Sequence, residues 1–466
     1  MKNISKFISP LLLAFSILLL VYIFYRSEVY HSGTKLDYYL KYYIISGAII
    51  TISIASFFIQ KNIKINITLF VVSTTFVLYL IEGYLDVSQF LFEKQYFEKR
   101  GIERFEPRTR FEMYQDLKKE DPNIVVKISP SSFTNEINQN IHPLSGISNR
   151  KTLYCKENGY FMIYQSDRYG FNNPNEEWDK KEIEYLLVGD SFTHGACVNQ
   201  PDTIAGNIRS ALNQNKKGVL SLGYSGNGPL IEYATLREYF PFTNAKRVLW
   251  MYYENDLTDL DSELKNSILL NYLNDKKFTQ NIKSRQKEVD KKALNNLLQE
   301  YKITEERLEK EKLLHERSKE HRSYIKKIIK LYTVREMVIN RFFRVGWLAP
   351  PPLPPREQEF EKIIKLANEL TENNGGTFYF VYLPQIIRYL DFAQNNTKEF
   401  RKYEKIVKIV NKLNIPIIDI NSELFEKHKD PLSLFGFRRY GHYNEDGYSL
   451  VAQIILDKVK SYESVK

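Results

Sequence analysis

The chain has 466 residues, which is enough for two or three domains, and its net charge is +10. The excess of Lys and Arg does not indicate nucleic-acid binding, because the basic residues are spread along the chain, are mixed with Glu and accompany no nucleic-acid motif. They are typical of solvated helix faces, with a minor role near an anionic membrane surface. No cluster of His and Cys has the spacing of metal ligands, so neither a metal nor another cofactor is expected.

Three apolar segments near the N-terminus predict a membrane anchor within residues 1–85. Each segment is 17 to 19 residues long and lacks Asp, Glu, Lys and Arg, so it is close to the length that crosses a bilayer as a helix. The first segment could instead be a signal peptide, but no small-residue cleavage site follows it. Buried helices of a soluble protein are the other alternative. The segments are residues 7–25, 42–59 and 65–81.

The charges that flank these segments favour a cytoplasmic N-terminus. Lys2 and Lys6 precede the first segment, and Lys61 and Lys64 lie just before the third, whereas basic and acidic residues are mixed in the first loop. Three crossings then place the rest of the chain outside the cytoplasm. The sequence therefore predicts a protein of the bacterial inner (cytoplasmic) membrane whose large C-terminal part is periplasmic.

Residues 86–150 are predicted to be a juxtamembrane connector, and residues 151–466 to be an α/β domain. Residues 160–165 alternate in polarity as a strand does. Beyond them, apolar runs alternate with helical patterns, which indicates a parallel sheet covered by helices on both faces. The predicted strands are 184–188, 218–223, 247–253, 376–383 and 415–420, and the predicted helices are 204–212, 229–238, 359–371, 399–413 and 444–460.

A helical insertion at about 259–355 interrupts the alternation of strands and helices. Its sequence is rich in Lys, Glu, Gln and Leu, and it ends in a stiff proline-rich stretch at 348–355. The insertion could be a lid or an arm that binds a protein partner. A solvated helical decoration is the alternative.

Polar residues follow the predicted strands at positions that suggest a shared site. The first strand ends at Gly189-Asp190-Ser191, which puts a serine hydroxyl at the carboxyl end of the sheet, where open α/β folds bind ligands. Asn255 follows the third strand, and His442 precedes the last helix with Asn444 as a candidate helix cap. Because serine needs a nearby base to become a nucleophile, this set indicates ester chemistry.

Four short blocks in this order resemble the SGNH (GDSL) hydrolase superfamily across residues 167–460. They are Gly189-Asp190-Ser191, the glycine block at 222–227, Glu254-Asn255-Asp256, and the segment from His442 to Asn444. The resemblance implies a three-layer, parallel-sheet SGNH-hydrolase-like domain. It also implies that Ser191 is the nucleophile and that His442 is the base.

The resemblance further implies an oxyanion hole made of the backbone N–H groups of Ser191 and Gly226 and the side-chain amide of Asn255. A turn glycine at 226 and a helix cap at 255 are the alternative roles. Asp190 is expected to bind the backbone and shape the turn. His194 competes with His442 as the base, because it lies three residues after Ser191.

The third catalytic group departs from the family pattern. The family has an acid three residues before the histidine, where this chain has Arg439, and an arginine cannot stabilise an imidazolium. Either a Ser–His dyad operates with a backbone carbonyl on the imidazole, or another carboxylate substitutes, with Asp430 favoured and Asp419 second. Arg438 and Arg439 could bind an anionic substrate or pair with an acid, and the departure also admits an inactive domain.

Cys155 and Cys197 are the only cysteines, and an oxidising compartment would permit a disulfide between them. Cys197 is six residues beyond Ser191, so such a bond would attach the segment before the sheet to the edge of the active site. Two unrelated buried thiols are the alternative.

These features predict a membrane-anchored serine esterase or acyltransferase. Its substrate would be an acyl ester, above all an acetyl ester, of cell-envelope carbohydrate, a class that the resemblance implies. A catalytically inactive module that binds glycan or assembles partners is the second hypothesis, because the expected acid is missing. A lipase that acts on membrane lipids is the third, suggested by the anchor and the aromatic connector.

Overall fold

The computed structural model describes residues 4–30, 33, 36–100, 106, 108–136, 139–212, 217–315, 329–339, 356–390 and 397–464. The proline-rich stretch at 348–355 lies outside this part of the chain. The chain divides into two compact units, one of Met1–Phe90 with Ser318–Ile339 and one of Leu91–Arg317 with Asn340–Lys466.

Within the described residues, the chain forms fourteen α-helices and eight strands. The helices are α1 (Ile4–Phe24), α2 (Leu36–Ala55), α3 (Lys61–Arg100), α4 (Arg110–Glu120), α5 (Ser191–His194), α6 (Ile204–Leu212), α7 (Pro229–Tyr239), α8 (Asp256–Glu263), α9 (Ser267–Asn274), α10 (Gln286–His315), α11 (Tyr332–Ile339), α12 (Glu357–Asn373), α13 (Thr397–Lys412) and α14 (Glu445–Ser464). The strands are β1 (Val125–Val126), β2 (Lys151–Leu153), β3 (Ile163–Gln165), β4 (Ile183–Gly189), β5 (Gly218–Ser221), β6 (Ala245–Tyr253), β7 (Thr377–Leu383) and β8 (Ile417–Asp419).

The first unit contains three helices that are long and apolar enough to cross a membrane, at Lys6–Tyr30, Tyr38–Phe58 and Lys61–Ser88. They overlap the three segments predicted from the sequence, the second of which was predicted to end one residue later, at Ile59. The third helix, α3, continues to Arg100, so part of the predicted connector is helical. Large apolar side chains along all three helices are exposed, as expected for surfaces that face lipid.

Part of the insertion belongs to this first unit. The carboxylate of Glu82 on α3 accepts hydrogen bonds of 2.8 Å from the backbone N–H groups of Thr333 and Val334. These donors are the unsatisfied N–H groups of the first turn of α11, so Glu82 caps that helix. Tyr79 adds a hydrogen bond of 2.9 Å to the carbonyl of Ile329. The segment around α11 is therefore held against the third apolar helix.

The second unit is built on a five-stranded parallel sheet in the order β5-β4-β6-β7-β8. The chain runs from β4 outward to β5 and then returns to the other side of β4 to form β6. The strand order therefore reverses between β4 and β6, and the loops after these two strands separate there. Open α/β sheets bind ligands at such a switch point. The predicted α/β class and all five predicted strands are confirmed.

Helices cover both faces of this sheet because successive side chains on a strand point to opposite faces. On one face, Leu186 and Val188 of β4 pack with α7, α12 and α13. On the other face, Tyr185 and Leu187 pack with α6 and α14. These strand residues are buried, which explains why the sequence shows continuous apolar runs instead of alternation. The domain therefore has the predicted three layers.

A second, three-stranded sheet precedes the parallel sheet in the chain. β1 pairs in parallel with β2, and β2 pairs antiparallel with β3. The sequence predicted a strand only at 160–165, because β1 and β2 are two and three residues long and show no periodicity. This small sheet packs with α4 and with the start of α10 through apolar side chains that include Tyr114, Leu153 and Leu297.

The described start of the insertion is part of the core. Leu269 and Tyr272 of α9 and Val289 of α10 are buried in the same cluster as the sheet. The carboxylate of Glu263 accepts hydrogen bonds from the backbone N–H groups of Gly228 and Leu230 at the start of α7, at 2.7 and 2.9 Å. A purely solvated decoration therefore does not describe this segment, because its apolar face completes the layer around α7.

Candidate active site

Ser191 lies at the carboxyl end of β4, on a turn whose shape depends on its neighbours. A Cβ on Gly189 would meet the Thr193 hydroxyl at 2.2 Å and the Met251 carbonyl at 2.8 Å, so only glycine fits at the end of the strand. Asp190 caps α5 by accepting a hydrogen bond of 2.9 Å from the N–H of Phe192. The turn therefore presents Ser191 as the first residue of a short helix, and Asp190 shapes it as the sequence predicted.

The structure brings Ser191 and His442 together. The Oγ of Ser191 lies 2.9 Å from the Nε2 of His442, although 251 residues separate them in the chain. This is the distance at which a histidine can take a proton from a serine hydroxyl. Both side chains are partly exposed, so a substrate could reach them. The two residues thus have the geometry of a nucleophile and its base.

Neighbouring contacts fix the loop that carries His442. The hydroxyl of Tyr443 donates to the carbonyl of Pro384 at 2.8 Å, and the amide of Asn444 donates to the carbonyl of Ser433 at 2.7 Å. The side chain of Asn444 also accepts from the N–H of Gly447 at 3.0 Å, as a cap of α14 does. The ring of Phe192 packs against the imidazole, with their centroids 4.9 Å apart. The loop therefore has little freedom to move the base.

Glu157 contacts the second nitrogen of His442. Its Oε1 lies 2.9 Å from His442 Nδ1, and its Oε2 accepts a hydrogen bond of 3.0 Å from the His442 backbone N–H. A Cβ on Gly436 would meet the carbonyl of Glu157 at 2.8 Å, so glycine there allows the two segments to approach closely. Ser191, His442 and Glu157 thus form a continuous relay of the kind that serine hydrolases use.

The prediction of Asp430, or of Asp419 after it, as the third catalytic group was wrong. Asp430 forms an ion pair with Arg438, and its side chain is 42% exposed, whereas that of Glu157 is 24% exposed. Asp419 accepts hydrogen bonds from the Tyr403 hydroxyl and the Asn421 N–H. Both acids lie close to His442 in sequence, but their carboxylates are engaged elsewhere. The ion pair with Asp430 also accounts for one of the two arginines before the histidine.

The electrostatics favour an ionised Glu157. Burial raises the pKa of Glu157, but the charge of His442, the contact with its ring and the hydrogen bond from its backbone lower it by more, so the pKa lies below its ordinary value. A carboxylate that stays charged can stabilise the imidazolium that forms when His442 takes the proton. This is the property that Arg439 could not supply.

Gly226 and Asn255 occupy the loops after the two neighbouring strands. Gly226 has a φ of +80°, which favours glycine, and a Cβ there would meet the Ser131 hydroxyl at 2.6 Å. Asn255 does not cap α8 with its side chain. Its Nδ2 instead donates to Asp259 at 2.9 Å, which leaves a second N–H on the same amide. Asn255 thus occupies the N-cap position of α8 without a capping hydrogen bond from its side chain, and the oxyanion role of both residues stays a prediction.

The geometry does not support His194 as the base. It is buried between the rings of Tyr154 and Tyr224, with centroids 5.1 and 4.5 Å away. Burial lowers the pKa of His194 to about 3, so the ring stays neutral. Its Nδ1 lies 3.4 Å from the N–H of Ser225. His194 therefore supports the turn before Gly226.

A disulfide joins Cys155 to Cys197, with their Cα atoms 5.1 Å apart. The amide of Asn158 adds a hydrogen bond of 3.0 Å to the carbonyl of Cys197. Glu157 lies between Cys155 and Asn158, so both links hold the segment that carries it. Among the described residues, the one group of His, Cys and carboxylates close enough to share an ion is Glu157, Cys197 and His442. Cys197 offers no thiolate there because its sulfur is in the disulfide.

No family model matches the chain, and no curated protein matches its sequence. Solved structures similar to it include a putative lipolytic protein of the G-D-S-L family from Desulfitobacterium hafniense DCB-2, which is 14% identical. That similarity covers 59% of this chain and 99% of the other, with a TM-score of 0.31.

Two further solved structures are similar to this chain. An acetyl xylan esterase is 13% identical, over 59% of this chain and 100% of its own, with a TM-score of 0.33. A lipase/acylhydrolase from Enterococcus faecalis is 11% identical, over 60% of this chain and 96% of its own, with a TM-score of 0.32. The assignment of the site rests on its own geometry.

Replacing Glu157 with Gln should lower kcat for ester hydrolysis by about 10²- to 10⁴-fold, because a neutral amide cannot stabilise the imidazolium. The matched control is Asp430→Asn, which we expect to retain kcat within about threefold, since a surface ion pair contributes little. Both variants are measured as full-length protein in detergent. Equal losses in the two variants would contradict the assignment of Glu157.

Reduction of the Cys155–Cys197 disulfide should lower kcat by about tenfold or more, because a displacement of Glu157 by about 1 Å is enough to weaken a relay of this kind. Thiol titration of the unfolded protein should find free thiols only after reduction. Reducing the disulfide in the Glu157→Gln variant should change the residual rate of that variant little, since its carboxylate is already lost. Equal inhibition of both proteins would show that the disulfide acts on something other than Glu157.

Proposed function

We propose that this protein is a serine esterase or acyltransferase anchored in a membrane. The observation that carries the proposal is the relay of Ser191, His442 and Glu157, with 2.9 Å at each of its two contacts with the imidazole. Three side chains from distant parts of the chain meet in the order that nucleophilic acyl chemistry requires. Their meeting at the switch point of a parallel sheet adds support.

The chemistry follows from the positions of these groups. His442 Nε2 takes the proton of Ser191 Oγ as that oxygen attacks the acyl carbonyl, and the ionised Glu157 stabilises the imidazolium that results. Collapse of the tetrahedral intermediate releases the alcohol, to which His442 returns the proton. The acyl group remains on Ser191 until water or another hydroxyl accepts it. Water gives hydrolysis, and a sugar hydroxyl gives transfer.

The negative charge on the tetrahedral oxygen requires donors. We propose that the backbone N–H groups of Ser191 and Gly226 and the side-chain amide of Asn255 supply them. Asn255 is suited to this role because its hydrogen bond to Asp259 fixes the orientation of the amide while one N–H remains. Removal of one such donor typically costs about 10²- to 10³-fold in kcat.

The inactive-module hypothesis depended on the absence of an acid, and Glu157 removes that argument. We infer that the substrate is an acyl ester of cell-envelope carbohydrate, with acetyl as the first acyl group to test. This substrate class is suggested by the resemblance of the sequence to SGNH hydrolases and by an anchor that would hold the enzyme at the envelope. Membrane lipid is the alternative substrate.

The esterase proposal is tested by incubating full-length protein in detergent with p-nitrophenyl acetate and p-nitrophenyl palmitate. The wild-type protein should release p-nitrophenol from the acetate, and Ser191→Ala and His442→Ala should lose about 10³-fold or more in kcat. Ser464→Ala, at an exposed serine, should match the wild type. Equal background rates for all proteins would favour the binding module, and cleavage of palmitate alone would mark a lipase.

The membrane topology is tested with reporter fusions. A reporter that works only in the cytoplasm should be inactive when it is fused after Lys466, because three crossings from a cytoplasmic N-terminus end outside. The same reporter fused after Gln60, between the second and third apolar helices, should be active. An active fusion at Lys466 would place the hydrolase domain in the cytoplasm and refute the proposed location.

A further inference from the structure

Lys127 lies directly after β1, on the segment that passes over the glycine turn of the candidate active site. Its Nζ donates to the hydroxyls of Ser129 and Ser225, at 2.6 and 3.1 Å. The ammonium also lies 4.9 Å from the centroid of the Tyr154 ring. The backbone N–H of Lys127 donates to the carbonyl of Leu153 at 2.9 Å, which fixes the start of this side chain.

The charge of Lys127 is not balanced by an ion pair. Within the described part of the chain, no carboxylate lies at ion-pair distance from its Nζ, whose polar partners are two serine hydroxyls. Burial, with a contribution from Arg110, lowers the pKa of Lys127 to about 8, while Glu300 raises it. The amine is therefore mostly protonated at neutral pH. A partly buried cation without a counter-charge is costly, and a bound anion would offset that cost.

The position of Lys127 links this cation to the reacting centre. Ser225, which accepts its hydrogen bond, is followed directly by Gly226. Ser129, its other acceptor, lies 3.2 Å from the place that a Cβ on Gly226 would take, and Ser131 lies 2.6 Å from it. The ammonium is thus one hydroxyl away from the turn that is proposed to hold the oxyanion. Lys127, Ser129, Ser225 and Gly226 are all partly exposed.

We propose that Lys127 binds a carboxylate of the substrate, so that the ester hydrolysed at Ser191 is carried by an acidic sugar of the uronic acid type. An ammonium has three N–H donors, and the two serines use two of them, so one remains for a ligand. One lysine balances one negative charge, which fits a carboxylate monoanion better than a phosphate dianion. Ser129 and Ser225 orient the ammonium. This inference rests on the proposed esterase function and specifies its substrate.

The test uses full-length protein in detergent and three acetylated sugars that differ only in the group at carbon 6. They are methyl 3-O-acetyl-glucoside, which is neutral, methyl 3-O-acetyl-glucuronoside, which carries a carboxylate, and methyl 3-O-acetyl-glucoside 6-phosphate. Acetate release gives kcat/KM for each. The wild type should favour the glucuronoside over the neutral sugar by about tenfold, and Lys127→Met should reduce this ratio to about one. Lys127→Arg should keep a preference. The control Lys151→Met, at an exposed lysine on β2, should behave as the wild type.

Several results would overturn the inference while leaving the esterase intact. They are a wild-type ratio near one, an equal loss of Lys127→Met on both sugars, or a preference for the phosphate. Binding of the glucuronoside to Ser191→Ala, followed by ligand-observed NMR, tests the carboxylate site without turnover. If no ester is cleaved but Lys127 still governs this binding, the esterase proposal fails and the anion site stands. If Ser191→Ala binds the glucuronoside no better than the neutral glucoside, Lys127 does not form a carboxylate site.

Discussion

The imidazole of His442 is the group on which the candidate active site depends, because it must face a hydroxyl on one side and a carboxylate on the other. Ser191 is 251 residues away in the chain and Glu157 is 285 residues away. Ordering three such distant segments costs considerable conformational entropy. The parallel sheet meets this requirement for two of them: it carries Ser191 at the end of β4, and its covering layer includes α14, which begins just after His442.

The third segment is positioned by different means. Glu157 lies in the small sheet region that precedes the α/β layers, so no strand of the parallel sheet carries it. The disulfide and the hydrogen bond from Asn158 attach this region to the loop after Ser191. Glu157 and Ser191 are thus fixed relative to one another by a covalent link near both. This arrangement explains how the acid can be absent from the C-terminal loop that carries the base, where Arg439 stands instead.

The sequence predicted the parallel sheet well because its strands are buried on both faces and therefore read as continuous apolar runs. It predicted Ser191 and His442 because each follows or precedes a regular element within a short motif. Glu157 was missed because its region has strands of two or three residues, which leave no periodic pattern. One signal was available: Glu157 is two residues after Cys155, and a disulfide to Cys197 places any carboxylate near Cys155 close to Ser191.

Several acidic side chains are buried near the place where the oxyanion is proposed to form, and their charge would oppose it. Burial raises the pKa of Asp190 to about 6, of Asp259 to about 7 and of Glu263 to about 8, and it raises the pKa values of Glu232 and Asp256 well above their ordinary values. Glu263 is therefore mainly protonated at neutral pH, and it does not repel negative charge as a carboxylate would. Glu157, whose pKa is lowered, stays ionised behind the imidazole, and Asp190, with a pKa of about 6, is also mainly ionised at neutral pH. Because Lys127 is proposed to bind a carboxylate of the substrate, the oxyanion itself would depend on the neutral N–H donors proposed at Ser191, Gly226 and Asn255.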